Sequence, residues 1–221
     1  MTLLGDASEV VSESMRVFPD AIVIASGIYA LIIQSFPYGV FFGSMLEATF
    51  IYRIIKTFAT FVNVTGTIAP TYASHTASCR TGFSAPSATM EGITMFGRVP
   101  LGVPFPSAPI YMLSVASAYV FTTLNHQTKE LQALGPSYSS RYYTSAVLLL
   151  MTIFIFILFR LSYNCESIGV MVISMIIGLI IGTGLVQQNI RLFGPQSINL
   201  IGIPILRNRT ADGKKLYVCP K

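Results

Sequence analysis

The sequence predicts an all-α, polytopic transmembrane helix bundle of about five spans, with a long loop capping one face and an extended basic C-terminal tail. Three observations lead there. The chain is 52% hydrophobic and only 10% charged, where a soluble domain carries about 25% charged residues, and its mean hydropathy is +0.65. The apolar residues lie in long continuous blocks rather than alternating, which fits helices and not a transmembrane barrel. Several blocks also approach the roughly 20 residues that a helix needs to cross the hydrocarbon. In lipid every backbone N–H must find a partner within its own segment, and a helix provides one.

Residues 1–16 read as a weakly amphipathic lead-in. Asp6, Glu9 and Glu13 face a single Arg16, unlike the basic start and apolar run of a cleaved signal. The first span is expected over about 17–36, with Asp20 near its start, followed by a turn at Pro37-Tyr38-Gly39. The second runs over about 40–62 and carries Glu47, Arg53 and Lys56. A connection over 65–105 follows, rich in Thr, Ser, Ala, Gly and Pro, too broken to span and suited to capping one membrane face. The third span covers about 106–124. The fourth, about 143–161, contains LLLMTIFIFILF and is the clearest. The fifth, about 168–186, contains Gly178, Gly182 and Gly184. The bundle thus occupies 17–188, and 189–221 form a polar basic tail.

Five crossings put the termini on opposite sides. The tail side holds Lys129, Arg141, Arg191, Arg207, Arg209, Lys214, Lys215 and Lys221. The other side holds Arg16, Arg80, Arg98 and Arg160, with Lys56 at its edge. The excess predicts a cytosolic tail. Cys79 and Cys165 share the predicted non-cytosolic side, where an oxidising lumen allows a disulfide between them. The net charge of +5 reflects this basic tail and predicts no specific nucleic-acid partner.

Glu47 and Arg53 are intramembrane ionisable residues, a type that is costly in lipid and often functional. Arg53 and Lys56 lie near enough to the span end to snorkel to the interface, and Glu47 is expected to pair within the bundle. No nucleotide, metalloprotease or serine-hydrolase motif is present, and His75 and His126 lie in connections without metal-site neighbours. No metal and no cofactor are expected.

The third span opens with Phe105-Pro106-Ser107-Ala108-Pro109, the fourth ends at Arg160, and the fifth begins just after Glu166, all on the side of Lys56. From Lys56 to Gly184 this arrangement resembles the type 2 phosphatidic acid phosphatase (PAP2) family. Its signatures are K-x6-RP, PSGH and SR-x5-H-x3-D near one membrane face. The resemblance implies a site where Lys and Arg hold a phosphate, one His attacks phosphorus and another protonates the leaving oxygen. It makes Lys56, Ser107, Arg160 and Glu166 the candidates for a vestigial phosphate site. The departures are specific. Asn63-Val64 stand for Arg-Pro, Pro109 for the PSGH His, Phe159 for Ser, Glu166 for the nucleophilic His and Val170 for the Asp. Without its nucleophile and its acid, the resemblance implies a PAP2-like fold that has lost catalysis.

The tail carries INLIGIPIL and then TADGKKLYVCPK. It resembles the ends of multi-pass membrane proteins of large nucleocytoplasmic DNA viruses, which sit in the internal membrane beneath a capsid. Ala211-Asp212-Gly213 read as a turn and Leu216 to Cys219 as a short strand. Arg207, Arg209, Lys214, Lys215, Leu216 and Tyr217 are the candidate docking residues. The function expected is non-enzymatic and structural: anchoring partner proteins of a large assembly to a membrane through the tail and the 65–105 loop, with membrane lipids around the bundle. The alternatives are a lipid-phosphate phosphatase with an altered site, and a channel or transporter with Glu47 and Arg53 on a polar path.

Overall fold

A computed structural model of the chain describes residues 3–62, 79, 92–94, 97–99, 105–128, 131–132 and 136–201. Five long helices dominate: α1 (Leu3–Ile33), α2 (Phe36–Phe61), α3 (Ala108–His126), α4 (Pro136–Ser162) and α5 (Ile168–Phe193). A 3₁₀ turn, Pro195–Ile198, follows α5. Between α2 and α3 a short antiparallel hairpin pairs β1 (Gly92–Thr94) with β2 (Gly97–Val99), in the register Gly92 to Val99.

Local chemistry sets the helix boundaries. The α1–α2 turn lies at Gln34, which has φ 50, and Ser35, ahead of the predicted Pro37-Tyr38-Gly39 turn. Pro37 falls instead in the first turn of α2, where a missing N–H costs nothing and a fixed φ favours the helix. Pro109 does the same for α3. Ser167 caps α5 by accepting the Val170 N–H at 3.4 Å, and Gly194, at φ 80, ends it. Four helices run past their predicted ends. The 1–16 lead-in continues into α1 without a break from Leu3, α2 starts at Phe36 rather than near 40, α4 starts at Pro136 rather than near 143, and α5 reaches Phe193 rather than stopping near 186.

α3 is the axis of the bundle; it is buried almost without interruption from Ala108 to Tyr119. α5 lies against it in parallel, since Ser107 meets Ser174, Tyr111 meets Gly178, Ala118 meets Gly182 and Tyr119 meets Asn189. The close approach depends on glycine. A Cβ on Gly178 would stand 2.6 Å from the Tyr111 carbonyl oxygen, and one on Gly182 would stand 2.8 Å from the Ala118 Cβ. This is the small-xxx-small packing that lets two backbones touch.

α2 runs antiparallel to α3. Its Tyr52 hydroxyl donates to the Pro106 carbonyl at 3.0 Å, and the Tyr111 hydroxyl of α3 donates to the Ala48 carbonyl at 3.0 Å. α4 is antiparallel to α3 as well: Phe156 packs with Ile110 and Leu113 at one end, and Tyr142 lies 6.3 Å from Phe121 at the other. α1 joins through Val23 in the main core and through Phe18, 6.1 Å from Phe156.

The outer faces are apolar. On α4, Val147, Leu148, Leu150, Met151 and Phe154 are all more than half exposed, and on α1 Leu31 and Ile32 are about three-quarters exposed. Two segments, Tyr142–Ser162 and Ile168–Phe193, are long and apolar enough to cross a membrane, with mean hydropathies of 2.3 and 2.4. At 26 residues α5 is about 39 Å long, more than the roughly 30 Å of hydrocarbon in a bilayer.

Candidate functional site

The antiparallel order brings the second half of α2, the start of α3, the end of α4 and the start of α5 to one end of the bundle. A small apolar cluster of Ala59, Phe105 and Val170 ties three of these elements together. Of the four phosphate-site candidates, Ser107, Arg160 and Glu166 are buried here, and Lys56 is half-buried on α2, one turn from the buried Tyr52.

Arg160 and Glu166 form an ion pair across the α4–α5 turn, the guanidinium Nη2 donating to Glu166 Oε1. The Cys165 N–H donates to the Arg160 carbonyl at 2.9 Å, which holds the turn tight. Among the described residues, three buried polar atoms at this end have no hydrogen-bond partner: Arg160 Nε, Glu166 Oε2 and Ser107 Oγ. The Ser107 backbone N–H is engaged, donating to Ser174 Oγ at 2.8 Å, and Ser174 in turn donates to the Val170 carbonyl at 2.6 Å.

A disulfide joins Cys165, on this turn, to Cys79, with a Cα–Cα distance of 5.2 Å. It ties the connection between α2 and α3 to the same end of the bundle.

The chemistry available follows from these contacts. Arg160 is the one buried guanidinium at this end among the described residues, and its charge is already matched by Glu166. A carboxylate in that place opposes an incoming phosphate. Pro109 occupies the first turn of α3 and has no side chain that can move a proton.

Glu47 lies elsewhere. It is half-buried on α2, and the Gln188 side-chain amide of α5 donates to both its carboxylate oxygens, at 3.0 Å each. Beside it, Asn189 Nδ2 donates to Ser44 Oγ at 2.8 Å and to Tyr119 OH at 2.9 Å, joining α2, α3 and α5. Arg53 is exposed on α2 and does not line the cleft that holds Glu47. The sequence reading did not single out Ser44, Tyr119, Gln188 or Asn189. The run Gln187-Gln188-Asn189 carried the signal, but three amides after an apolar block read as the start of a polar tail. The docking candidates Arg207, Arg209, Lys214, Lys215, Leu216 and Tyr217, and the 65–105 loop apart from Cys79, the hairpin and Phe105, lie outside the described residues.

No protein-family model, no curated protein and no solved structure matches the chain.

Proposed function

We propose that the chain is a five-span integral membrane protein with a structural, non-enzymatic role. It anchors partner proteins to a membrane through its basic tail and its 65–105 connection, in a setting such as a virion internal membrane beneath a capsid. The observation that carries the non-enzymatic reading is the buried Arg160–Glu166 pair. In a phosphate site built on this arrangement the guanidinium would have to be free for the substrate, whereas here a carboxylate fixed by the same turn occupies it. The virion setting rests on the viral resemblance of the tail.

Several observations support five crossings. The helices alternate in direction, and α1, α2 and α4 present large apolar side chains outward. Two segments are long and apolar enough to cross a membrane. α3 is enclosed by its neighbours from Ala108 to Tyr119, so Ser114 and Ser117 do not meet lipid and this helix need not be as apolar as α4. Interhelical hydrogen bonds from Tyr52, Tyr111 and Asn189 are of the kind that joins helices in lipid. The Cys79–Cys165 disulfide belongs in an oxidising compartment. With five spans the tail then faces the opposite, reducing side, in agreement with the excess of Lys and Arg there.

Two measurements on the full chain test the role. Purified protein given a lipid phosphate should release no phosphate; release that Arg160→Ala abolishes would overturn the structural reading. Lysine-directed cross-linking in intact native membranes should join Lys214, Lys215 or Lys221 to other proteins, and recovery of those lysines without any cross-link would contradict anchoring by the tail.

A further inference from the structure

Between α2 and α5, at the tail end of the bundle, lies a cleft of about 500 Å³. Its buried residues are Ser44 and Asn189, the half-buried Glu47 and the exposed Gln188 line it beside them, and Phe36 and Phe193 line it too, their rings 5.9 Å apart and edge-on. Gly39, Gly43 and Glu47 follow one another at intervals of four along α2, so they share one helix face. A Cβ on Gly39 or Gly43 would meet nothing within 4 Å. The glycines therefore do not serve close packing here; they leave a trough leading to the carboxylate.

The charge of that carboxylate is poorly matched. Among the described residues no Lys or Arg lines the cleft, and Glu47 is held by a single neutral amide shared between its two oxygens. An ionised carboxylate half-exposed on a helix face in lipid is costly unless a cation meets it. The walls select the kind of cation. A metal ion needs several oxygen or nitrogen ligands, and no group of three or more metal-type side chains exists among the described residues. An organic ammonium needs one anionic contact and apolar walls, and the cleft has both in Glu47 and in Val40, Leu192 and Phe193. Its volume lies in the range of small-molecule sites.

We propose that this cleft binds an organic ammonium group, with Glu47 as counter-ion, Gln188 orienting the carboxylate and the Gly39–Gly43 trough admitting the ligand. The ammonium can belong to a phospholipid headgroup or to a free amine. The inference rests on the membrane placement proposed above, and it is independent of what the tail anchors.

The test uses the full chain in detergent. Native mass spectrometry compares retention of phosphatidylethanolamine with that of phosphatidylglycerol bearing the same acyl chains. Thermal unfolding compares tetramethylammonium chloride with sodium chloride at equal concentration. Two variants accompany the wild type: Glu47→Gln, which keeps the shape and removes the charge, and Gly43→Leu, which fills open space in the trough and leaves Glu47 intact. A preference of about tenfold for the ethanolamine lipid, lost in both variants, places the ammonium on a lipid. Equal lipid retention with stabilisation by tetramethylammonium, lost in both variants, places it on a free amine. No ammonium preference in either assay overturns the proposal, as does a preference that survives Glu47→Gln. Should Glu47→Gln not fold, a preference that persists in Gly43→Leu overturns it.

Discussion

The guanidinium of Arg160 donates to the carboxylate of Glu166 across the turn between α4 and α5, and both side chains are buried. Truncating one partner of a buried pair leaves the other charge uncompensated, at a cost of about 3–5 kcal/mol. Arg160→Ala and Glu166→Ala should each lower the midpoint of thermal unfolding in detergent. The double replacement Arg160→Met with Glu166→Leu should recover most of the loss, because two apolar side chains leave no orphaned charge. Unchanged single variants would show that the pair does not hold the turn.

The Cys79–Cys165 disulfide should appear in a non-reducing peptide map as one linked pair, protected from alkylation until reductant is added. Its removal by Cys79→Ser should destabilise the protein by about 2–5 kcal/mol, since it closes a long loop in the unfolded chain. Cys165→Ser should match it, and the double variant should cost no more than either single one.

Gly182 tests the α3–α5 contact. A Cβ there runs into Ala118 and the backbone of Val115, so Gly182→Leu must push the helices apart. The cost should reach the upper end of about 1–3 kcal/mol for overpacking, because backbone cannot move aside as a side chain can. Gly184→Leu, at a position open to 4 Å, should be close to neutral by the same unfolding assay.

Asn189 tests the polar node among α2, α3 and α5. Asn189→Leu removes its bonds to Ser44 and Tyr119 and should cost about 1–2 kcal/mol, within the range for interhelical bonds in membranes. A double-mutant cycle with Tyr119→Phe should give a coupling of about 0.6 kcal/mol or more. A coupling of zero would mean that the two side chains act independently.

Much of this architecture was legible because continuous apolar runs and helix periodicity are local properties. α4 is announced by LLLMTIFIFILF, and α2 to α5 follow the expected order. The convergence of Ser107, Arg160 and Glu166 at one end, with Lys56 on the nearby stretch of α2, was readable from span order alone. The boundaries were less so. Pro37 serves either to turn the chain or to start a helix, and only Gln34 in the left-handed region decides between them. The Arg160–Glu166 pair was missed as a pair, because its partners sit on either side of a turn whose geometry the sequence does not specify. The Glu47–Gln188 and Asn189–Tyr119 bonds depend on helix register across the bundle, and a single chain's hydropathy carries no information on that.

On the proposed reading, the bundle crosses a membrane five times with its tail opposite the disulfide. Single cysteines placed at Val10, Gln34, Val62, Asn125, Tyr163 and Gln196, all exposed positions, in a background with Cys79, Cys165 and Cys219 changed to Ser, report it most directly. A membrane-impermeant maleimide is added to sealed vesicles from one side and then the other. Val10→Cys, Val62→Cys and Tyr163→Cys should react from one side, and Gln34→Cys, Asn125→Cys and Gln196→Cys only from the opposite side. Reaction of all six from a single side would contradict it.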